Sequence, residues 1–195
     1  MPTTVLAFSS TPRRRGNSDI LVDQILAGAA AAGAIVEKVR LHGLTIGPCT
    51  ACDACQVSVE TPCVIADDAT PLLAKVRHAD VLVFGSPIYF GTVNGQMKMF
   101  LDRLYALFGG GTFDALRGRR LALAFAYASP DPFAAGTVNA IHMFQDAARE
   151  LGIDLVGWVC ACCQTAGEVE KNGPVLESAR ALGRKLVTAP AGAPR

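Results

Sequence analysis

The sequence lacks the features that would assign several common functions at once. Its 195 residues carry a formal net charge of +1, so there is no electrostatic case for binding nucleic acid or an anionic membrane. No apolar run approaches the length of a membrane span, and the N-terminus has neither the basic start nor the long apolar stretch of a signal peptide. Histidine is scarce, and none of the three stands beside a Cys or Ser in a triad-like pattern. We therefore expect a cytoplasmic protein without nucleic-acid or membrane partners and without a hydrolytic centre.

The first loop, residues 9–18, also lacks the usual phosphate-binding patterns. It contains neither GxxxxGK[ST] nor GxGxxG, and it has no nucleophilic Cys. It does contain hydroxyl side chains and three consecutive Arg residues, between a short apolar strand and a helix. A helix N-terminus reached through such a loop presents free N–H groups and a positive dipole end, which suits an anion. The loop is typical of holding a phosphate rather than cleaving it, or else of an ordinary capped helix after a basic surface loop.

Strands and helices alternate along the chain. Five apolar strand segments are predicted at about 4–8, 35–41, 81–85, 120–127 and 155–161, with helical periodicity between them. This pattern predicts a parallel sheet with helices on both faces, a three-layer α/β sandwich. We expect a single domain over residues 1–188, with a Cys-rich insert at about 48–67 and a flexible tail at 189–195.

The loops after the first, third and fourth strands have unusual compositions, and we expect them to meet where parallel strands end. After the third strand, Pro87, Ile88, Tyr89 and Phe90 place large apolar groups at an exposed strand end. They could pack on the domain or on a partner subunit, or form a platform for a flat aromatic ring. The fourth strand leaves through residues 127–132, another sharply turning loop. A phosphate loop, an apolar platform and a third flanking loop together indicate a site for flavin mononucleotide (FMN).

Two motifs carry a family resemblance. Residues 10–18, STPRRRGNS, resemble the GSPR-x-x-GN[ST] loop of NAD(P)H-dependent FMN reductases with a flavodoxin-like fold. Residues 85–89, GSPIY, followed by Lys98 and by Asp102-Arg103, resemble the G[ST]P-[VI]-Y…K…DR stretch of the same family. The resemblance spans nearly the whole chain in the same order. Ser10 departs from it, because the family usually has Gly there.

The resemblance implies the flavodoxin-like strand order 2-1-3-4-5 and a set of FMN-binding residues. The first loop would hold the phosphate and the second would lie against the isoalloxazine ring, with Asn94 close by and Ser129 in the third loop. Lys98, Asp102 and Arg103 are interpreted as structural or as subunit contacts. The predicted cofactor-binding residues are Ser10, Thr11, Arg13, Asn17, Ser18, Pro87, Ile88, Tyr89, Phe90, Asn94 and Ser129.

Seven Cys residues indicate a reducing compartment, and four of them are closely spaced. Cys49, Cys52 and Cys55 form CxxCxxC, and Cys63 follows. Four thiolates in such a run can hold a [4Fe–4S] cluster, and the run resembles that of iron–sulfur flavoproteins, a branch of the same family. A zinc site or unliganded thiols beside the flavin are the alternatives.

The functional hypothesis is an FMN-dependent oxidoreductase in which the flavin carries the chemistry and no side chain is a required catalyst. Electrons would pass from a transiently bound NAD(P)H through FMN to a quinone, a flavin or another small acceptor. The alternative is an iron–sulfur flavoprotein electron carrier with FMN and a [4Fe–4S] cluster. A third reading is a scaffold or redox sensor without turnover. The resemblance and the exposed apolar loops favour a homodimer or tetramer.

Overall fold

The structure, a computed structural model, describes residues 1–58, 60–111 and 114–188. The tail expected at 189–195 lies outside these residues. Six strands are present in the described part: β1 Thr4–Ser9, β2 Ile35–Arg40, β3 Val81–Tyr89, β4 Thr92–Val93, β5 Arg120–Tyr127 and β6 Asp154–Cys162. Five α-helices lie between and after them: α1 Asn17–Ala31, α2 Ala69–His78, α3 Gly95–Arg103, α4 Thr137–Glu150 and α5 Gly173–Thr188.

The five long strands form a parallel sheet in the order β2-β1-β3-β5-β6. This confirms the predicted strand order 2-1-3-4-5 and the α/β fold class. The predicted number of five strands was one too low, because β3 continues to Tyr89 and turns back into the short antiparallel strand β4. Thr92 and Val93 are too short a run for an alternating pattern to identify from sequence.

Helices cover both faces of the sheet, which is why the central strands are apolar on both sides. Helices α1 and α5 pack on one face, against alternate residues of β1, β3 and β5. Helices α2, α3 and α4 pack on the other face around an aromatic cluster in which the ring centroids of Phe8 and Phe100 are 4.4 Å apart. No helix in the described ranges is long and apolar enough to cross a membrane. Because the helices cover the faces of the sheet, the carboxyl ends of its strands remain open at one edge for a ligand.

Candidate functional site

A groove that is open to solvent, with a cavity volume of about 100 Å³, lies at the carboxyl ends of β1, β3, β5 and β6. Its walls come from the three loops that the sequence predicted to converge and from the segment after β6. The lining residues are Thr11, Arg13, Gly16, Asn17, Ser18, Pro87, Ile88, Tyr89, Ala126, Tyr127, Ala128, Cys163 and Gln164. Of the predicted cofactor-binding residues, seven line this groove, and Ser10, Phe90, Asn94 and Ser129 do not.

The loop after β1 forms the polar end of the groove. Helix α1 begins at Asn17, and the residue before it, Gly16, has no side chain to cap the first N–H groups of the helix. Ser18 is 1% exposed, and its Oγ has no hydrogen-bond partner within the described part of the chain. A buried hydroxyl without a partner is costly, so this geometry indicates a ligand at the position that Ser18 faces. An anion at the N-terminus of α1 fits these donors, and a flavin phosphate is such an anion.

The compact form of this loop depends on glycine and on a local hydrogen bond. An added Cβ at Gly16 would lie 2.4 Å from Thr11 Oγ1, so only glycine allows the loop to fold this tightly. The N–H group of Arg13 donates to Thr11 Oγ1 over 3.3 Å. Thr11 is 2% exposed, while Arg13 remains exposed at the groove.

The C-terminal end of β3 forms the apolar wall through Pro87, Ile88 and Tyr89, which the sequence analysis had assigned to the following loop. Phe90, predicted to lie with them, instead projects fully into solvent. Phe90 and Gly91 are the two turn residues of the β3–β4 hairpin, with φ of 48° and 78°. Two central residues with positive φ are typical of a type I′ hairpin turn, and Phe90 stands at this turn outside the groove lining.

Ser10 and Asn94 are buried beneath the groove and hold its loops together. The amide of Asn94 donates to the backbone oxygen of Ser10 at 2.8 Å, and its Oδ1 accepts from the N–H group of Met97, which caps α3. The Ser10 hydroxyl donates to the backbone oxygen of Gly85 at 3.2 Å. Both side chains are therefore engaged within the protein, and their contribution to the groove is positional.

The last two residues of β5 and the residue after it, positions 126–128, form the next wall, and the predicted Ser129 does not line it. The Ser129 hydroxyl accepts from the N–H group of Asp131 within its own turn. Tyr127 lines the groove. Burial raises the pKa of the Tyr127 phenol, and the neighbouring thiols of Cys160, Cys162 and Cys163 raise it further. Tyr127 is therefore a neutral hydroxyl at physiological pH.

The segment after β6 is the part of the site that sequence reasoning missed. The N–H group of Cys163 donates to the backbone oxygen of Tyr127 at 2.7 Å, and the Gln164 amide donates to that of Ala128. Burial raises the pKa of the Cys163 thiol to about 11, with a smaller contribution from the Glu168 carboxylate, so this wall is uncharged at neutral pH. Neither Cys163 nor Gln164 was among the predicted cofactor-binding residues.

The Cys-rich segment lies outside the groove lining. Cys49 and Cys52 are exposed, Cys55 is buried and Cys63 is half-buried, all as free thiols. Hydrogen bonds from the backbone of Ala54 and the side chain of Thr50 lower the pKa of Cys52. Within residues 1–58, 60–111 and 114–188, no three metal-ligating side chains are gathered. Cys thiolates are the usual ligands of an iron–sulfur cluster, but these four are too far apart in this structure to hold one.

A buried arginine holds this segment on the core. The Arg103 guanidinium donates to the Asp67 carboxylate at 2.6 Å and to the backbone oxygen of Gly47 at 3.0 Å. It also donates to Cys63 Sγ and to the backbone oxygen of Ile65, both at 3.3 Å. These contacts give Arg103 a structural position, as the sequence interpretation expected.

A parallel sheet in this order, with helices on both faces and a groove at the carboxyl ends of its strands, defines a flavodoxin-like fold. The chain belongs to the NADPH-dependent FMN reductase family, whose family model matches residues 3–155. This membership confirms the resemblance seen in the two motifs. The protein is a flavin-dependent oxidoreductase of the NAD(P)H-dependent type.

Individual relatives agree with this assignment. The chain is 31% identical to an iron–sulfur flavoprotein of Methanocaldococcus jannaschii, over 93% of this chain and 94% of that protein. It is 30% identical to an iron–sulfur flavoprotein of Archaeoglobus fulgidus, over 92% of this chain and 76% of that protein. Among solved structures, the NAD(P)H:quinone oxidoreductase from Methanothermobacter marburgensis aligns with a TM-score of 0.70 at 16% identity, covering 95% of this chain and 98% of that one. The last similarity is one of fold.

Proposed function

We propose that this protein passes electrons from NAD(P)H through bound FMN to a quinone, a flavin or another small acceptor. The observation that supports it is the groove itself. At one end stands the buried Ser18 hydroxyl, which has no hydrogen-bond partner among the described residues, and at the other stands an apolar wall. The polar end suits the phosphate and the apolar wall suits the ring.

The residues of the groove would bind and orient the flavin, which supplies the redox chemistry when bound. Thr11, Ser18 and the first N–H groups of α1 hold the phosphate, and Arg13 adds positive charge. Pro87, Ile88 and Tyr89 pack against the ring system. The solvent-open side of the groove admits the nicotinamide and then the acceptor, with Arg14 available on the surface to attract the nicotinamide cofactor's phosphates.

Flavin titration of a Ser18→Ala variant tests this assignment. We expect the wild-type protein to bind one FMN, and Ser18→Ala to bind it roughly tenfold or more weakly, because a hydrogen bond to a charged group contributes about 1.5–3 kcal/mol. The measurement is quenching of flavin fluorescence, followed by NADH and NADPH oxidation with quinone and flavin acceptors.

Ser178→Ala is the matched control, since Ser178 is exposed and its hydroxyl donates to a backbone oxygen within α5. It should bind FMN as the wild-type protein does. Absence of stoichiometric flavin in the wild-type protein would overturn the proposed function.

A second candidate function is electron transfer through FMN and a [4Fe–4S] cluster. Two observations favour it: the names of the archaeal relatives and the four Cys residues 49, 52, 55 and 63. Cluster binding requires the segment to rearrange around the metal, because the thiols are not gathered in this structure. Iron and acid-labile sulfide assays on protein purified without oxygen decide between the two. About four irons per chain, lost in Cys52→Ser, would establish the carrier, and absence of iron would leave the reductase.

The remaining assignments concern the surroundings of the site. We propose a single cytoplasmic domain over residues 1–188, in keeping with one continuous sheet and seven free thiols. We also propose a homodimer or tetramer, because Phe90 and Phe133 are exposed apolar groups in the loops beside the groove. A sedimentation experiment that finds only monomers at micromolar concentration would contradict the oligomer.

A further inference from the structure

The segment after β6 spans the groove from one side to the other. We call residues 163–170 the closing segment. At one end, its first two residues donate to the backbone oxygens of Tyr127 and Ala128 at the end of β5. Inside it, the Glu168 carboxylate accepts from the N–H groups of Gln164 and Thr165, both at 2.8 Å, and fixes the turn. The closing segment therefore has a defined conformation and is attached at this end to β5.

The second attachment point is Asn17, the first residue of α1. Its Nδ2 donates to the backbone oxygen of Thr165 at 2.8 Å, and its Oδ1 accepts from the N–H group of Val169 at 3.1 Å. Asn17 is 7% exposed and Val169 is 1% exposed, so the bond between them is buried, whereas the bond to Thr165 is only partly buried. The Asn17 carboxamide thus joins the start of α1, at the polar end of the groove, to the closing segment, whose Cys163 and Gln164 line the groove.

A second contact between the same two segments is of a different kind. Arg15 forms an ion pair with Glu170 at 2.5 Å, but the two side chains are 72% and 45% exposed. Exposed pairs are screened by water and hold a surface weakly. Of these two polar contacts, the one made by the buried Asn17 carboxamide is therefore the stronger.

We propose that Asn17 is a positioning residue for the flavin phosphate, acting through the closing segment. The Nδ2 of Asn17, the side-chain atom that could donate to a phosphate, already donates to Thr165, and its Oδ1 accepts from Val169. Asn17 therefore acts by holding α1 and residues 163–170 in register rather than as a phosphate ligand. This inference rests on the proposed function, since it presupposes a flavin in the groove. It also places the closing segment, including Cys163 and Gln164, in the flavin site.

The first test breaks the Asn17 connection from both sides. Asn17→Ala removes the carboxamide, and Val169→Pro removes the partner N–H at a residue that does not line the groove. We expect each to weaken FMN binding about tenfold, because each leaves a buried polar group unpaired and frees the wall. The double variant should lose no more than either single variant, since both break the same connection. Glu170→Gln, which removes only the exposed ion pair, should bind FMN within about twofold of wild type.

The ratio of FMN to riboflavin dissociation constants separates positioning from a general loss of stability. Riboflavin lacks the phosphate, so its binding should change much less than that of FMN in Asn17→Ala. Hydrogen exchange of residues 163–170, measured by mass spectrometry, provides a readout that does not depend on Val169→Pro folding. Asn17→Ala should exchange faster in this segment, and FMN should no longer protect it as it does in the wild-type protein.

The outcomes are distinguishable. If wild-type protein binds no flavin, the proposed function fails. If wild type binds FMN but Asn17→Ala binds it equally well, the inference fails and the function stands. If Asn17→Ala weakens FMN binding while Val169→Pro does not and exchange in residues 163–170 is unchanged, Asn17 is a direct ligand and the positioning role is overturned.

Discussion

Replacing Gly183 with Val is expected to destabilise the protein by about 3 kcal/mol or more, the upper part of the range for overpacking. Gly183 lies on α5 where this helix crosses α1. A Cβ built at Gly183 would stand 1.9 Å from the backbone oxygen of Ile25, and one built at Gly28 would stand 2.0 Å from that of Arg180. Backbone oxygens cannot swing aside as side chains do. The two helices would have to separate, exposing the core between them and the sheet.

Chemical denaturation followed by circular dichroism measures this loss. Gly173→Ala is the matched control on the same helix, because an added Cβ there meets nothing within 4 Å. It should leave stability unchanged or raise it slightly, since alanine restricts the unfolded chain more than glycine does. A Gly183→Val variant as stable as Gly173→Ala would show that the helices do not pack this closely in solution.

The fold was predictable because its signals are local and repeated. Apolar strands and amphipathic helices alternate along the chain, and each type has its own spacing of apolar residues. The start of α3 illustrates this: Asn is a residue type that favours helix N-caps, and Asn94 Oδ1 accepts from the N–H group of Met97. The short strand β4 has no such signal, since its existence depends on where the chain turns at Phe90 and Gly91.

The candidate site was predictable where a residue's position follows from its own strand end, but not where it depends on contacts between distant segments. Thr11, Arg13 and Ser18 follow a strand and precede a helix, so their place at the strand end follows from the topology. The closing segment meets the phosphate loop through Asn17 and Val169, which are 152 residues apart. No local pattern encodes such a contact. For the same reason, the sequence placed Asn94 beside the ligand although its side chain is used beneath the groove.

Replacing Arg103 with Met is expected to cost about 3–5 kcal/mol, because it leaves the Asp67 carboxylate buried without its cation. The side chains of Arg103 and Asp67 are 0% and 7% exposed. Arg103 also bonds the backbone oxygens of Gly47 and Ile65, which lie near the two ends of the Cys-rich segment. The variant should therefore loosen this segment first, and limited proteolysis between these residues should be faster than in the wild-type protein.

Acid should reduce the difference between Arg103→Met and wild type. Burial alone would raise the pKa of Asp67, but hydrogen bonds from Arg103 and from the N–H groups of Gly47 and Ala69 outweigh it, so this pKa is below its usual value. In the wild-type protein, the stability that this depressed pKa contributes is present above the usual Asp pKa and is lost as pH falls through the lowered value. In the variant the cation is absent, and protonating Asp67 removes the buried charge. Denaturation midpoints should therefore converge as the pH is lowered.

Lys98→Met is the control on the same helix, because Lys98 and Asp102 form an ion pair whose side chains are about half exposed. It should change stability little, since water already screens that pair. Asp67→Asn combined with Arg103→Met should recover part of the loss by removing the unpaired carboxylate. If Arg103→Met is as mild as Lys98→Met, the buried pair does not hold the segment. If Arg103→Met is severely destabilising, the position of Cys63 depends on Arg103. This arginine lies on α3, 40 residues further along the chain.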